Sequence, residues 1–254
     1  MTLRVALVQQ ASGLEPEDNR RLLRELTPDD ADLVVFPEAF ARDFGSPGSD
    51  VSGHAEPVDG PFGREVERVA EARATTVLAG MFEVSDDRDR PFNTLLLRGR
   101  AYADYRKVHL YDSFGYRESD RLSAGPVSAV TAPLGDLTLG LMTCYDLRFP
   151  EQARALVDAG AEVLVAPSAW VAGERKVDHW RTLLRARAIE NVAYVVAAAQ
   201  PGPRYSGHSM VVDPFGEVVV EAGEDEATVL HATLDPALVE EARRTNPSLA
   251  NRRR

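Results

Sequence analysis

Three side chains of unlike chemistry stand at the ends of apolar, strand-like runs. Cys144, the only cysteine in the chain, follows the run 137–143 and precedes a short turn, 145–149, that leads into a helix at Pro150. A strand-to-helix corner of this kind exposes its side chain at the end of a sheet. It also aims backbone N–H groups at whatever binds there, which favours a thiolate and a developing oxyanion. Position alone equally allows a small buried hydrophobe. Glu38 ends the run 32–36 within Val34-Val35-Phe36-Pro37-Glu38-Ala39-Phe40. Desolvated among aromatic neighbours, its carboxyl is placed to take a proton from a thiol and return it to a leaving amine. Lys107 closes the run 101–106. Of the 29 basic residues only Lys107 and Lys176 are lysines, so each marks a place where a planar, permanently charged guanidinium could fail to replace a compact ammonium. Lys176, in the polar stretch 173–178, reads instead as a solvated surface lysine.

The elements that must position these groups are legible in outline. Alternating or continuous apolar runs bounded by turn residues cover 3–10, 32–36, 76–82, 94–97, 137–143, 162–166, 193–199, 209–212, 217–220 and 228–233, about ten strands. Helical spacing covers 16–26, 62–74, 150–159 and 179–192. Strands and helices alternate, which predicts an α/β layered fold whose strands are covered by helices on one face. No composition break divides the 254 residues, so one domain is expected. No self-similar period is visible, and the arginines 252–254 read as a solvated end.

Several function classes drop out on composition. Acidic residues outnumber basic ones, 40 to 29, giving a net charge of −11 that disfavours nucleic acid as a partner. One cysteine forms no internal disulfide, and five scattered histidines lack metal-ligand spacing, so no metal is expected. No apolar run reaches the ~18 residues of a membrane helix and the N-terminus carries no signal-peptide pattern, so no membrane association and a cytoplasmic location are expected. No phosphate-binding glycine loop exists, so no cofactor is indicated. A Cys–His protease arrangement would draw on His109, His179 or His208, but no local signature supports it.

Phe36-Pro37-Glu38, Tyr105-Arg106-Lys107-Val108-His109-Leu110-Tyr111-Asp112 and Cys144-Tyr145-Asp146-Leu147-Arg148-Phe149-Pro150-Glu151 resemble, in order, the three signatures of the nitrilase superfamily, the carbon–nitrogen hydrolases. Further likeness at 167–170, 179–180, 183–191, 197–200 and 207–214 extends the resemblance over nearly the whole chain. It implies an α-β-β-α sandwich, a single carbon–nitrogen hydrolase domain over 1–254, a homodimer paired through helices or a higher homo-oligomer, a small-molecule amide as partner, and no cofactor. It further implies a Glu38–Lys107–Cys144 triad, with Glu118 as an additional active-site glutamate.

Combined with the roles above, the resemblance predicts that Cys144 attacks an amide carbonyl to give a thioester, that Glu38 acts as base and then acid, and that Lys107 with the backbone N–H of Tyr145 holds the oxyanion. Phe114, Ser168 and Trp170 are expected around the substrate. Residues 183–191 and 197–200 are similar to the Nit-type amidases, among them deaminated-glutathione amidase and omega-amidase, which act on short 2-oxo-dicarboxylate amides. The stretch 171–178 departs from the usual threonine- and glycine-bearing loop, and the loop at 113–116 is abbreviated. The expected function is therefore hydrolysis of a small linear amide. An N-carbamoyl-amine hydrolase, a nitrilase, an amide-forming acyltransferase and a non-enzymatic thiol switch stand as alternatives.

Overall fold

Strands such as Leu3–Gln9 and Leu33–Val35 carry apolar residues at successive positions rather than at alternate ones, and the structure shows why: they are covered on both faces. The computed structural model describes residues 1–224 and 227–253. Its first half comprises β1 (Leu3–Gln9), α1 (Pro16–Leu26), β2 (Leu33–Val35), α2 (Pro61–Ala72), β3 (Thr76–Glu83), β4 (Phe92–Arg98) and β5 (Ala103–Arg106). A hairpin of β6 (Asp112–Ser113) and β7 (Tyr116–Arg117) follows. The second half comprises β8 (Thr131–Leu134), β9 (Leu137–Leu141), α3 (Pro150–Asp158), β10 (Val163–Val165), α4 (Lys176–Asn191), β11 (Tyr194–Ala197), β12 (Met210–Val212) and β13 (Val218–Glu221). Strand β14 (Thr228–Leu234) then returns to the first sheet, and α5 (Pro236–Thr245) follows.

The two six-stranded sheets have the orders β14-β1-β2-β3-β4-β5 and β13-β12-β11-β10-β9-β8. In each, three central strands run parallel and antiparallel strands flank them. The second sheet thus repeats the first (β1, β2 and β3 matching β9, β10 and β11) without any repeat in the sequence. The inner faces meet in one core: Val5, Leu7, Leu33, Val35 and Leu78 face Leu139, Leu141, Val163, Val165 and Val196. Ala6, Val8, Val34 and Val77 point the other way, against Leu23 of α1 and Phe62, Val66 and Val69 of α2. On the far side Leu164, Val195 and Ala197 pack on Leu156 of α3 and on Trp180, Leu184 and Ala188 of α4. This is the expected α-β-β-α sandwich.

Differences from the sequence reading are local. Strand β8, which contains Pro133 at a sheet edge, the hairpin β6–β7 and α5 were not anticipated. Helix α4 starts three residues before the expected 179. Arg252 is not solvated freely: its guanidinium pairs with Asp158 and its Nε donates to Leu249 O at 3.2 Å, while Arg254 lies outside the described residues. No described helix is long and apolar enough to cross a membrane.

Candidate active site

The chain leaves β2 at Val35 and turns at Pro37 so that Glu38 lies across β3. This approach requires a glycine beneath it: a Cβ on Gly80 would sit 2.5 Å from Ala39 N and 2.9 Å from Glu38 Cα. Ala39 adopts φ +53°, and Ala41 N donates to Gly80 O at 2.9 Å, closing the turn. The Glu38 carboxylate is buried and held from three directions. Asn93 Nδ2 (2.7 Å) and Lys107 Nζ (2.9 Å) donate to Oε1, and Ala169 N donates to Oε2 at 2.7 Å. Its main-chain oxygen accepts from Gln200 Nε2 at 2.9 Å.

Lys107 is the residue after β5, anchored by N–H donation to Asn93 O and by acceptance from Gly125 N, both at 2.8 Å. Its Nζ lies between two carboxylates. It donates to Glu38 at 2.9 Å and to Glu118 Oε2 and Oε1 at 2.9 and 3.1 Å. Glu118, on a 3-10 turn after β7, also accepts from Tyr111 N at 2.6 Å.

Cys144 follows β9 on the first residue of a 3-10 turn, with φ +47°, a left-handed conformation that a non-glycine residue holds only when its surroundings over-determine it. Much of that constraint comes from Asp146, which is fully buried. Its carboxylate accepts from Thr143 N (2.8 Å), Tyr105 Oη (2.7 Å) and His109 N (3.1 Å), and it faces His109 Nδ1 at 2.7 Å. Asp146 therefore ties the cysteine corner to both sides of Lys107. Cys144 N donates to Pro167 O at 3.1 Å, whereas the Tyr145 N–H, at the same corner, has no acceptor among the described residues.

The four groups perturb one another. Burial pushes the Cys144 thiol well above its usual range and the Glu38 charge adds to this, with Lys107 opposing. The thiol accordingly keeps its proton at rest, and the thiolate expected from the corner geometry is not preformed. Burial alone would pull the Lys107 ammonium down, but Glu118 and Glu38 together hold it well above the usual lysine value. Glu118 is raised, chiefly by burial, with the Lys107 charge pulling the other way.

Glu38, Lys107, Glu118 and Cys144 all line one cavity of about 820 Å³. Tyr145, Phe114 and Trp170 line it as well. Ser168 does not: it is fully buried and its hydroxyl donates to Ala166 O at 3.0 Å. Lys176 corrects the sequence reading outright. It is buried at the start of α4, with Nζ donating to Tyr111 Oη at 2.9 Å inside the same cavity, against the rings of Tyr111, Phe114 and Trp170. Of the histidines, His109 is bonded to Asp146 and stacked on Phe149 at 3.7 Å, and His208 Nδ1 faces Glu221 at 3.0 Å. His179 lines the cavity wall near Arg148. Two site residues are given no role by the sequence reading: Asn93 is an ordinary polar residue without a signal, and Asp146 stands within the third signature, two residues after the sole cysteine.

Comparison with known proteins places these features in context. Residues 4–244 match the family described as carbon-nitrogen hydrolase. A hydrolase of Mycobacterium tuberculosis is 39% identical over 244 residues, covering 87% of this chain and 85% of that protein. Deaminated glutathione amidase of Escherichia coli O157:H7 is 39% identical over 235 residues, covering 91% and 88%. The crystal structure of Saccharomyces cerevisiae Nit3, of branch 10 of the nitrilase superfamily, superposes with a TM-score of 0.84 at 29% identity over 100% of this chain and 97% of that one.

Proposed function

The chain belongs to the carbon–nitrogen hydrolase family, and on that premise we propose that this hydrolase of amide C–N bonds works through a Cys144 thioester, with Glu38, Lys107 and Glu118 as its partners. One observation carries the reading: a buried carboxylate, ammonium and thiol from three separate strand ends share a cavity large enough for a substrate.

Because the thiol is protonated at rest, its proton leaves only as the sulfur attacks. Glu38, whose charge already acts on the thiol across the same cavity, accepts it. The carbonyl oxygen gains charge and is met by Lys107 Nζ and the unpaired Tyr145 N–H, donors of a type that each contribute ~3–4 kcal/mol in an oxyanion hole. Glu38 then gives its proton to the departing amine, and the amine leaves as the thioester forms. Water, deprotonated by Glu38, hydrolyses the thioester and restores the thiol. Glu118 shares the ammonium with Glu38 and so keeps Lys107 charged and aimed through both half-reactions.

For the substrate we infer a short linear amide of the deaminated-glutathione or 2-oxo acid omega-amide type. The relative of that name and a cavity at the roomy end of the ~300–1,000 Å³ typical of small-molecule sites support this. A homodimer is part of the same reading. Ile189, Phe215, Val218 and Val219 are large, apolar and exposed, and the Gly216 turn packs against Ile189, so one patch joins α4 to the β13 edge. Light scattering on the purified protein would give the mass of two chains.

The experiment for the reaction is intact-mass spectrometry during turnover of deaminated glutathione, with ammonia or amine release as the readout. The wild type gains the acyl mass transiently. Folded Cys144→Ala gains none and releases nothing; full hydrolysis by that variant would remove the nucleophile assignment.

A further inference from the structure

Near the C-terminal end of α4, Arg187 is only 5% exposed and reaches out of its helix to the turn that carries Cys144. Its Nη2 and Nε both donate to Leu147 O, at 2.7 and 3.0 Å. The remaining Nη1 donates to Glu190 Oε1 at 2.7 Å, so the charge is compensated and the guanidinium is committed to these two partners. Arg187 does not line the cavity.

The sequence explains why the Leu147 oxygen needs a donor from another element. In a 3-10 turn the carbonyl of residue i accepts from the N–H of residue i+3. For Leu147 that position is Pro150, which has no N–H, and among the described residues no main-chain donor reaches the oxygen from elsewhere. Leu147 is fully buried, away from water. A buried carbonyl without a partner is costly, and two charge-assisted bonds from one guanidinium satisfy it strongly.

The turn Cys144–Arg148 is therefore tied at both ends. Asp146 accepts from Thr143 N at its start, and Arg187 holds Leu147 O near its finish. Between the two ties lie Cys144, at φ +47°, and Tyr145, whose N–H has no acceptor among the described residues. A residue in the left-handed region stays there only while its surroundings over-determine it. Releasing one tie lets the sulfur and the Tyr145 N–H move together.

We propose that Arg187 is a positioning residue for the nucleophile, which through the Leu147 carbonyl orients the Cys144 sulfur and the Tyr145 N–H without touching the substrate. This rests on the amidase reading above and adds to it a control exerted from α4. A displacement of about 1 Å at a reacting group can cost about a hundredfold in rate, which sets the size of the effect to look for.

Steady-state kinetics on deaminated glutathione, corrected for the folded fraction by circular dichroism, tests the role. Arg187→Gln should lower kcat thirtyfold or more while KM moves less than threefold, because the cavity wall stays in place. Arg187→Lys restores one donor and should recover at least fivefold of that loss. Glu190→Gln should keep kcat within threefold, since the Leu147 bonds come from Nε and Nη2 and not from Nη1. Three results would each overturn the proposal in favour of an arginine that only fastens α4. These are a fall in kcat of less than tenfold in Arg187→Gln, kcat and KM changing by equal factors, or a loss in Glu190→Gln as large as that in Arg187→Gln. Should Arg187→Gln not fold, Arg187→Lys must lose more kcat than Glu190→Gln, and an equal or reversed order overturns the proposal.

Alkylation of Cys144, the sole cysteine, by iodoacetamide reads the same corner without turnover. Burial and the Glu38 charge hold the thiol well above its ordinary 9.0, with Lys107 opposing and Glu118 adding a smaller push. The pH midpoint of alkylation should therefore fall in Arg187→Gln, as the sulfur leaves its buried seat, and stay at the wild-type value in Glu190→Gln. Amide hydrolysis by the wild type with an unmoved midpoint in Arg187→Gln would sink the positioning role alone. A lowered midpoint in a protein that hydrolyses no amide would sink the amidase reading and leave the hold of Arg187 on the corner standing.

Discussion

The carboxylate of Asp146 meets His109 twice, accepting from its main-chain amide at 3.1 Å and facing its ring Nδ1 at 2.7 Å, and thereby fixes the segment after Lys107 to the turn that carries Cys144. Removing the acid leaves two backbone donors and a tyrosine hydroxyl buried without an acceptor. Asp146→Ala should lower stability by about 3 kcal/mol or more in urea denaturation. In the folded fraction, turnover should fall because the φ +47° conformation of Cys144 loses its support. Stability within 0.5 kcal/mol of wild type would show that this network does not hold the corner.

Lys107→Arg should reduce kcat at least a hundredfold while leaving the protein folded. The guanidinium keeps the charge but cannot present one donor to the carbonyl oxygen while filling the space between Glu38 and Glu118, where Nζ now sits 2.9 Å from each. Steady-state kinetics with circular dichroism as a folding control decides this.

Alkaline stability should distinguish the thiol from the ammonium. Both groups have folded pKa values raised above their ordinary 9.0 and 10.5, so above those values the unfolded chain releases the proton that the folded chain retains. Stability is therefore present below those values and declines as pH rises towards the folded pKa values. In the wild type the decline should begin near pH 9. In Cys144→Ala the thiol component is absent, so the difference in urea midpoint between the two proteins should change between pH 8 and pH 10. A constant difference across that range would show that the thiol is not raised.

Gly80→Ala tests how Glu38 is placed. The added methyl would stand 2.5 Å from Ala39 N, a backbone atom that cannot swing aside, so the Glu38 turn must lift from β3. Expected outcomes are a loss of about 1–3 kcal/mol, as for overpacking in a core, and a fall in kcat larger than the rise in KM. Unchanged kinetics would show that the turn has slack.

What could be read from the sequence follows a physical division. Glu38, Lys107 and Cys144 were visible because each stands where an apolar run stops, and the run and its end are local properties of the chain. Asn93, Asp146 and Lys176 were not, because what makes them matter lies far along the chain. Asn93 reaches Glu38 across 55 residues, Asp146 reaches Tyr105 across 41, and Lys176 reaches Tyr111 across 65. The polar surroundings of Lys176 imply solvent, yet the aromatic rings that bury it come from the 111–114 and 170 segments. The strand pattern likewise revealed layered sheets, but β8 was hidden by Pro133, which an edge strand tolerates and an interior one does not.

The duplicated strand order has a mechanical corollary. The proposed base, Glu38, hangs from one sheet, after β2, while the proposed nucleophile, Cys144, hangs from the other, after β9, and Ala169 and Gln200 of the second half clasp Glu38 across the join. A slip of one layer over its neighbour by little more than an ångström would separate proton donor from acceptor without breaking a single rung of either ladder. Catalysis in this architecture is thus a gauge of alignment between layers, and it should vanish at lower urea concentrations than the far-ultraviolet signal of the strands and helices themselves.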